Sequence, residues 1–289
     1  MRTREILTAV PVAFHENGDL DLDGSREILR YVAASGNEGA FVLGTTGEFP
    51  SLTFEERTAL VAASIEELSP HMRVVVHVGA ASTHEALRLV AQAREAGAKE
   101  IAVLTPYYLK ATDKALLDYF TAVANAAGGL DVFIYVFRAV SGNFISNELM
   151  ATLATLPNVV GAKVSDEPLE QIRAYRDVVP EDFLIYTGSD RDLGRAADYG
   201  AQGVISGVSS VLPKPFRALA AAHDSGDAAE IENAQRSVDE VVDAIAGNMG
   251  RMKAAYALLG VRGGTTRMAI EAPSDEALAE IERVVALYR

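Results

Sequence analysis

Cysteine is absent from the 289-residue sequence. Its absence excludes disulfide scaffolds, thiolate zinc sites, iron–sulfur clusters and cysteine nucleophiles. Basic residues are also scarce, because 26 lysines and arginines stand against 40 aspartates and glutamates and give a net charge of -14. A chain this acidic is repelled by phosphate backbones and anionic lipids, so we expect neither a nucleic acid nor a membrane as its partner.

Long hydrophobic runs are missing as well, because no stretch approaches the roughly 18 apolar residues of a membrane-spanning helix. The first residues run into a strand-like segment without the apolar stretch and cleavage site of a signal peptide, which predicts a cytoplasmic protein. What the sequence does contain is 49% hydrophobic residues, enough for a large core. Its length suits either one large α/β barrel or two ordinary domains.

Short apolar segments rich in β-branched and aromatic residues alternate with longer amphipathic segments. The eight strand candidates are Ile6–Phe14, Ala40–Gly44, Arg73–Gly79, Glu100–Thr105, Asp131–Phe137, Val159–Ser165, Phe183–Gly188 and Gly203–Val208. The helix candidates between them lie near residues 24–35, 53–67, 83–96, 113–126, 147–155, 167–176, 191–198 and 214–223.

Nearly continuous apolar strands are typical of a parallel sheet that helices cover on both faces. Eight strand–helix units in succession therefore predict a (β/α)8 barrel over residues 1–223. Residues 224–289 are predicted to form a C-terminal extension of three helices that packs on the barrel. An open, doubly wound sheet is the alternative, because the repeat alone does not prove closure.

Lys163 differs from the other five lysines, which we interpret as ordinary loop or helix-surface charges. It lies inside the sixth predicted strand, where its side chain has to point into the barrel or be buried between sheet and helices. Burial disfavours the ammonium form, and a neutral amine can form a Schiff base with a ketone. The alternative is a lysine at a strand end that reaches solvent or pairs with a carboxylate.

Two further candidates for the site are a tyrosine on the fifth predicted strand and a turn that follows the second. Tyr135 interrupts the apolar fifth strand at the depth expected for Lys163, where its phenol could relay protons, although buried tyrosines are commonly part of a core. Gly44-Thr45-Thr46-Gly47 follows the second strand and predicts a tight turn with exposed amide groups, suited to a carboxylate. The same turn could also simply cap a helix.

Five motifs follow one another in a characteristic order. They are Gly44–Glu48 (Gly-Thr-Thr-Gly-Glu), Thr105–Tyr108 (Thr-Pro-Tyr-Tyr), Tyr135, Gly161–Lys163 (Gly-Ala-Lys) and Gly203–Gly207 (Gly-Val-Ile-Ser-Gly). Their order and spacing resemble the dihydrodipicolinate synthase/N-acetylneuraminate lyase family of Schiff-base aldolases. The resemblance covers essentially the whole chain, including the helical extension.

The resemblance implies a (β/α)8 barrel that forms a homotetramer or homodimer and needs no metal or organic cofactor. It implies that Lys163 is the Schiff-base lysine, that Tyr135 relays protons together with Thr45, and that Tyr108 reaches into the site of a neighbouring subunit. It also implies that Thr45 and Thr46 hold the carboxylate of a 2-keto acid and that Ser206 lines the pocket.

The sequence departs from the family where the second substrate would bind. Family members commonly have Tyr-Asn-x-Pro after the relay tyrosine, whereas this chain has Tyr135-Val-Phe-Arg138. Dihydrodipicolinate synthases carry an arginine five residues after the tyrosine, and Val140 occupies that position here. Arg138 is therefore the candidate for binding an acidic second substrate. The alternative is a surface arginine paired with a glutamate.

The leading hypothesis is a lyase that attaches pyruvate or a longer 2-keto acid to Lys163 and carries out aldol cleavage, condensation or dehydration of a sugar acid. Dihydrodipicolinate synthase of lysine biosynthesis is the alternative within the family. Two alternatives lie outside the family's chemistry. One is a barrel enzyme that binds a phosphorylated ligand near Arg191 and Lys214, and the other is a keto-acid-binding protein without activity. The five histidines lack metal-ligand spacing, so no metal site is expected.

Overall fold

The computed structural model describes residues 4–289 as eight parallel strands hydrogen-bonded in chain order into a closed barrel. The predicted (β/α)8 barrel is thus confirmed, and the open sheet is wrong. The strands are β1 (Glu5–Ala9), β2 (Gly39–Val42), β3 (Arg73–His77), β4 (Glu100–Leu104), β5 (Asp131–Phe137), β6 (Val159–Ser165), β7 (Leu184–Thr187) and β8 (Gly203–Ser206).

Eleven α-helices lie within the described residues. They are α1 (Leu22–Ala33), α2 (Phe54–Leu68), α3 (Thr83–Glu95), α4 (Asp113–Ala127), α5 (Arg138–Ser141), α6 (Asn147–Leu153), α7 (Leu169–Arg176), α8 (Pro213–Ser225), α9 (Ala228–Ile245), α10 (Met249–Leu258) and α11 (Asp275–Tyr288). The last three are the predicted helices of the C-terminal extension.

Two predicted elements differ from the structure for local reasons. The first strand ends at Ala9 instead of Phe14, because Pro11 cannot donate a backbone hydrogen bond to a neighbouring strand. The seventh predicted helix, 191–198, consists of two short 3-10 helices, Asp190–Gly194 and Ala196–Tyr199. Gly194 interrupts this segment, and glycine within a helix costs about 1 kcal/mol relative to alanine.

The described chain divides into two compact units. The first contains Arg4 and Val75–Val204, with β4 to β7 as its buried centre. The second contains Glu5–Val74 and Ile205–Arg289, and within it α9 packs against α8 and α11. The division at residue 223 into barrel and extension stays a prediction. Among residues 4–289, no helix is both long enough and apolar enough to span a bilayer.

Candidate active site

Lys163 lies in the middle of β6, between tyrosines of the two neighbouring strands. Its Cα is paired with that of Tyr135 on β5 and with that of Tyr186 on β7. The lysine is only 5% exposed, and its Nζ lies 4.4 Å from the centroid of the Tyr135 ring. The amine is therefore enclosed, and it lies beside the phenol that the sequence places at the same depth.

The close packing of β5 and β6 below Lys163 depends on Gly161. An added Cβ at this glycine would lie 2.4 Å from the carbonyl oxygen of Leu184 and 2.5 Å from the ring of Phe133. Both distances are too short for any side chain. Gly161 thus makes room for the Phe133 ring, and the Gly-Ala-Lys motif has a steric reason on this strand.

Tyr135 is 1% exposed and is surrounded by other rings. The imidazole of His77, at the end of β3, meets it edge-on at a centroid distance of 5.9 Å, and Phe137 lies 6.1 Å away. His77 Nε2 accepts a long hydrogen bond of 3.4 Å from the backbone amide of Leu104. His77 lies in an apolar strand, and the sequence does not predict its contact with the candidate relay residue.

Tyr108 protrudes from the loop after β4 with 92% of its surface exposed. Its φ of 80° lies in the left-handed region, where a bulky side chain is a rare outlier. Leu109 is 73% exposed and Val140 49% exposed, so the same unit presents further apolar surface. At this exposure the Tyr108 side chain is covered by almost nothing from its own chain.

Asn143 holds the loop that carries Tyr108, a role that the sequence does not reveal. The amide side chain is buried, and its Nδ2 donates to the carbonyl oxygens of Pro106 at 2.7 Å and Leu109 at 2.9 Å. Its Oδ1 accepts from the backbone amide of Ala111 at 2.8 Å. One side chain therefore closes the loop from both sides of Tyr108.

A hydroxyl pair connects the start of this loop to the short helix after β5. Thr105 Oγ1 donates to Ser141 Oγ at 2.8 Å, and both residues are buried. Ser141 Oγ in turn donates to the backbone carbonyl of Asn143. The Thr-Pro-Tyr-Tyr loop and the Arg138–Ser141 helix are thus parts of one hydrogen-bonded assembly.

Arg138 is the first residue of α5, and its guanidinium is exposed. Its Cζ lies 5.4 Å from the ring centroid of Phe144. No carboxylate of residues 4–289 pairs with it, unlike the many arginines of this acidic chain that form ion pairs. The pairing with a glutamate that was the alternative for Arg138 is therefore not found in the described structure.

Thr45 and Thr46, in the second unit, begin a 3-10 turn that ends at Gly47. The backbone amides of Gly47 and Glu48 donate to the carbonyl oxygens of Gly44 and Thr45, both at 3.0 Å. A carboxylate bound here would therefore use the start of the turn. The Thr46 hydroxyl has no hydrogen-bond partner among the described residues.

Ser206, the last residue of β8, is fully buried. Its Oγ accepts from the backbone amide of Ser209 at 2.9 Å, within the 3-10 turn Val208–Ser210. Ser209 Oγ lies 3.2 Å from Thr8 Oγ1 on β1. The hydroxyl that the family resemblance assigns to a pocket wall thus also stabilises the backbone after β8.

Lys253 corrects the interpretation of five lysines as ordinary surface charges. It is only 3% exposed and donates from Nζ to Glu48 Oε1 at 2.6 Å. Burial lowers the pKa of Lys253, and the Glu48 carboxylate opposes that shift. Its position on α10 gives no sign of this burial, because the sequence of α10 lacks a clear apolar face.

Groups of three or more potential metal ligands do not occur among residues 4–289.

Comparison with known proteins shows the family to which this chain is similar. Residues 2–287 match the model of the dihydrodipicolinate synthetase family. The 4-hydroxy-tetrahydrodipicolinate synthase of Alkaliphilus oremlandii is 35% identical over 219 residues, which are 76% of this chain and 75% of that protein.

Solved structures agree with the barrel over nearly its full length. A monomeric variant of a dihydrodipicolinate synthase superposes with a TM-score of 0.90 at 30% identity, covering 99% of this chain and 96% of its own. A sialic acid aldolase of Ruminococcus gnavus has a TM-score of 0.91, covering 100% of this chain and 97% of its own. Its identity of 22% shows a shared fold alone.

We predict that Asn143→Ala loosens the Tyr108 loop, because the backbone amide of Ala111 loses its acceptor. Hydrogen exchange at Ala111 should accelerate roughly tenfold, as expected for the loss of about 1–1.5 kcal/mol. Asn158→Ala is the matched control, since Asn158 Nδ2 bridges the carbonyl oxygens of Ala124 and Leu130 elsewhere in the same unit. Unchanged exchange at Ala111 in Asn143→Ala would contradict the clamp.

Proposed function

Since the chain belongs to the dihydrodipicolinate synthetase family, we propose that Lys163 forms a Schiff base with the ketone carbon of pyruvate or a related 2-keto acid. The chain is a lyase of this family's type, and small keto acids are the substrates of the family. One observation supports the role of Lys163 above all others: the amine is enclosed in a barrel strand and lies 4.4 Å from the ring centroid of Tyr135.

The proposed chemistry begins when the neutral amine adds to the ketone carbon. Loss of water then leaves an iminium ion, which withdraws electrons from the neighbouring carbon. A carbon–carbon bond or a proton on that carbon can now be cleaved, because the electron pair left behind is held as an enamine. The reverse order of steps joins the enamine to an aldehyde.

The other residues receive the roles that the family resemblance implies. We propose that Tyr135 and Thr45 move protons to and from the substrate oxygen and that Thr45 and Thr46 bind its carboxylate. Ser206 is proposed to line the pocket. The Thr46 hydroxyl supports the carboxylate role, because it has no hydrogen-bond partner among the described residues and so can donate to a bound carboxylate.

Synthase activity remains a second candidate, favoured by relatives named 4-hydroxy-tetrahydrodipicolinate synthase. Val140 speaks against it, because an exposed apolar side chain stands where synthases have their substrate-binding arginine. The phosphate alternative gains no support, since Lys214 is exposed and donates to the backbone carbonyl of Arg289. Family membership favours the lyase over a protein without activity. A cytoplasmic location is proposed on the same kinship.

We predict that incubation with pyruvate and borohydride attaches one reduced pyruvate per chain, at Lys163. Borohydride reduces the iminium to a stable secondary amine, so mass spectrometry of peptides locates the modified residue. Lys163→Ala should abolish the adduct, and Lys114→Ala, which removes an exposed lysine of α4, should leave it intact. An adduct at Lys253, or none at all in the wild type, would contradict the proposal.

We also propose a homotetramer or homodimer in which Tyr108 completes a neighbouring site. The near-complete exposure of Tyr108 supports this, whereas the monomeric synthase variant among the similar structures shows that assembly is not universal.

We predict that mixing inactive Lys163→Ala with inactive Tyr108→Ala restores activity. Random exchange of subunits in a dimer would give about one intact site in four. No recovery, or a fully active monomer by light scattering, would make Tyr108 a residue of its own subunit's site.

Arg138 is proposed to bind a carboxylate of the second substrate. Its guanidinium suits this role because it is exposed and pairs with no carboxylate of the described residues. We predict that Arg138→Ala leaves the pyruvate adduct nearly unchanged. Turnover of the acidic second substrate should fall about ten- to a hundredfold, or roughly 1.5–3 kcal/mol.

Arg236→Ala, on the exposed face of α9, is the control for this variant and should have no effect. Because Val140 replaces the synthase arginine, aspartate semialdehyde is expected to be a poor partner for pyruvate. Efficient condensation with that aldehyde, undiminished in Arg138→Ala, would show that the role of Arg138 is misassigned.

A further inference from the structure

Glu48 is a fully buried carboxylate that directly follows the Thr45–Gly47 turn. Its Oε1 accepts from Lys253 Nζ at 2.6 Å. Its Oε2 accepts from the backbone amides of Arg267 at 2.9 Å and Met268 at 2.7 Å. Each carboxylate oxygen is thus bonded to a donor from the C-terminal part of the second unit.

Lys253 is held as firmly as its partner. Besides the bond to Glu48, its Nζ donates to the carbonyl oxygen of Thr265 at 2.5 Å and lies 4.7 Å from the ring centroid of Phe14. Removing two charges from water costs several kcal/mol per ion, and apolar residues of similar size often give equal stability. Stability alone is therefore a weak reason for this ion pair, whereas its bonds to Glu48 and Thr265 hold the Lys253 amine in one position.

The backbone of the turn needs such a constraint at both ends. Leu43 and Glu48, which flank residues 44–47, have φ values of 59° and 52°. Both are non-glycine residues in the left-handed region, and such conformations persist only where the surroundings enforce them. For Glu48 the enforcing contacts are the ion pair and the two amides of the 265–268 segment.

Gly207 lies between α10 and the turn. Gly207, after β8, packs so closely that an added Cβ would lie 2.8 Å from Met252 Cε and 3.4 Å from Thr46 Oγ1. Met252 and Lys253 are neighbours on α10, so the stretch of helix that binds Glu48 also lies against Gly207, which in turn lies next to Thr46.

The 265–268 segment is itself anchored, so it can serve as a fixed support. The guanidinium of Arg267 donates to both carboxylate oxygens of Glu56 at 2.7 Å, and to the carbonyl oxygens of Gly18 and Ser51 at 2.8 Å. Bidentate contacts of this kind have one preferred geometry.

We propose that Glu48 and Lys253 are positioning residues, through which α10 and the 265–268 segment fix the Thr45–Thr46 turn in the shape that binds the substrate carboxylate. The inference rests on the proposed function of that turn. Lys253 acts through Glu48 and does not touch the substrate. The pair should therefore control affinity for the carboxylate and leave the reactivity of the amine at Lys163 unaltered.

The test compares pyruvate with methyl pyruvate, an ester without the negative charge, in borohydride trapping at Lys163. In Lys253→Met, the half-saturating concentration of pyruvate should rise about tenfold or more, as for a lost charge-assisted contact. The value for methyl pyruvate should change less than about twofold. Lys114→Met, an exposed lysine of α4, is the matched control and should alter neither value.

The Glu48→Gln/Lys253→Met double variant separates positioning from stability and serves if Lys253→Met does not fold. With no lone buried charge, its melting temperature should recover. The preference for pyruvate over the ester should stay reduced, because the ion pair is still missing. A wild-type preference in either folded variant would overturn the inference. A wild type that neither ketone labels would instead overturn the proposed function, and the inference with it.

Discussion

The pairing of β5 with β6 is the constraint on which the surroundings of Lys163 depend. Successive side chains of a strand point to opposite faces, so a slip of one residue would turn Lys163 away from its present side of the sheet. The register of these two strands shifts once, between Val132 and Phe133. From Phe133 onward it is regular, and it pairs Tyr135 with Lys163. Gly161 then admits the Phe133 ring, so backbone pairing and ring packing enforce the same alignment.

Charges in this acidic chain differ in effect according to their burial. Pairs such as Arg26 with Glu66 lie at the surface, where an ion pair contributes about 0–1 kcal/mol and is screened by salt. Glu48 and Lys253 lie inside, where solvent cannot replace a lost partner. Arg138 belongs to neither group, because its cation is exposed and rests on the ring of Phe144. An unneutralised cation on a chain of net charge -14 is a local exception that an anion can recognise.

The sequence predicts what repeats or alternates, and it predicts less of what depends on single contacts. The eight strand–helix units and the common depth of Tyr135 and Lys163 follow from periodicity, because parallel strands of a barrel share one direction. The burial of Lys253 does not follow, since its partner is 205 residues away in the chain. The clamp by Asn143 is equally hidden, because an asparagine after a glycine reads as an ordinary loop residue. The strained φ of Tyr108 likewise has no local signature, since tyrosine rarely adopts it.

The side chains that hold the Tyr108 loop are an asparagine, a serine and a threonine. None of these groups gains or loses a proton in the range where enzymes work. Schiff-base chemistry, by contrast, requires an amine that alternates between charged and neutral forms. The three side chains that hold the Tyr108 loop therefore keep the same charge when the pH changes. Acid or alkali can change the state of the reacting groups while the hydrogen bonds of the loop that presents Tyr108 remain the same.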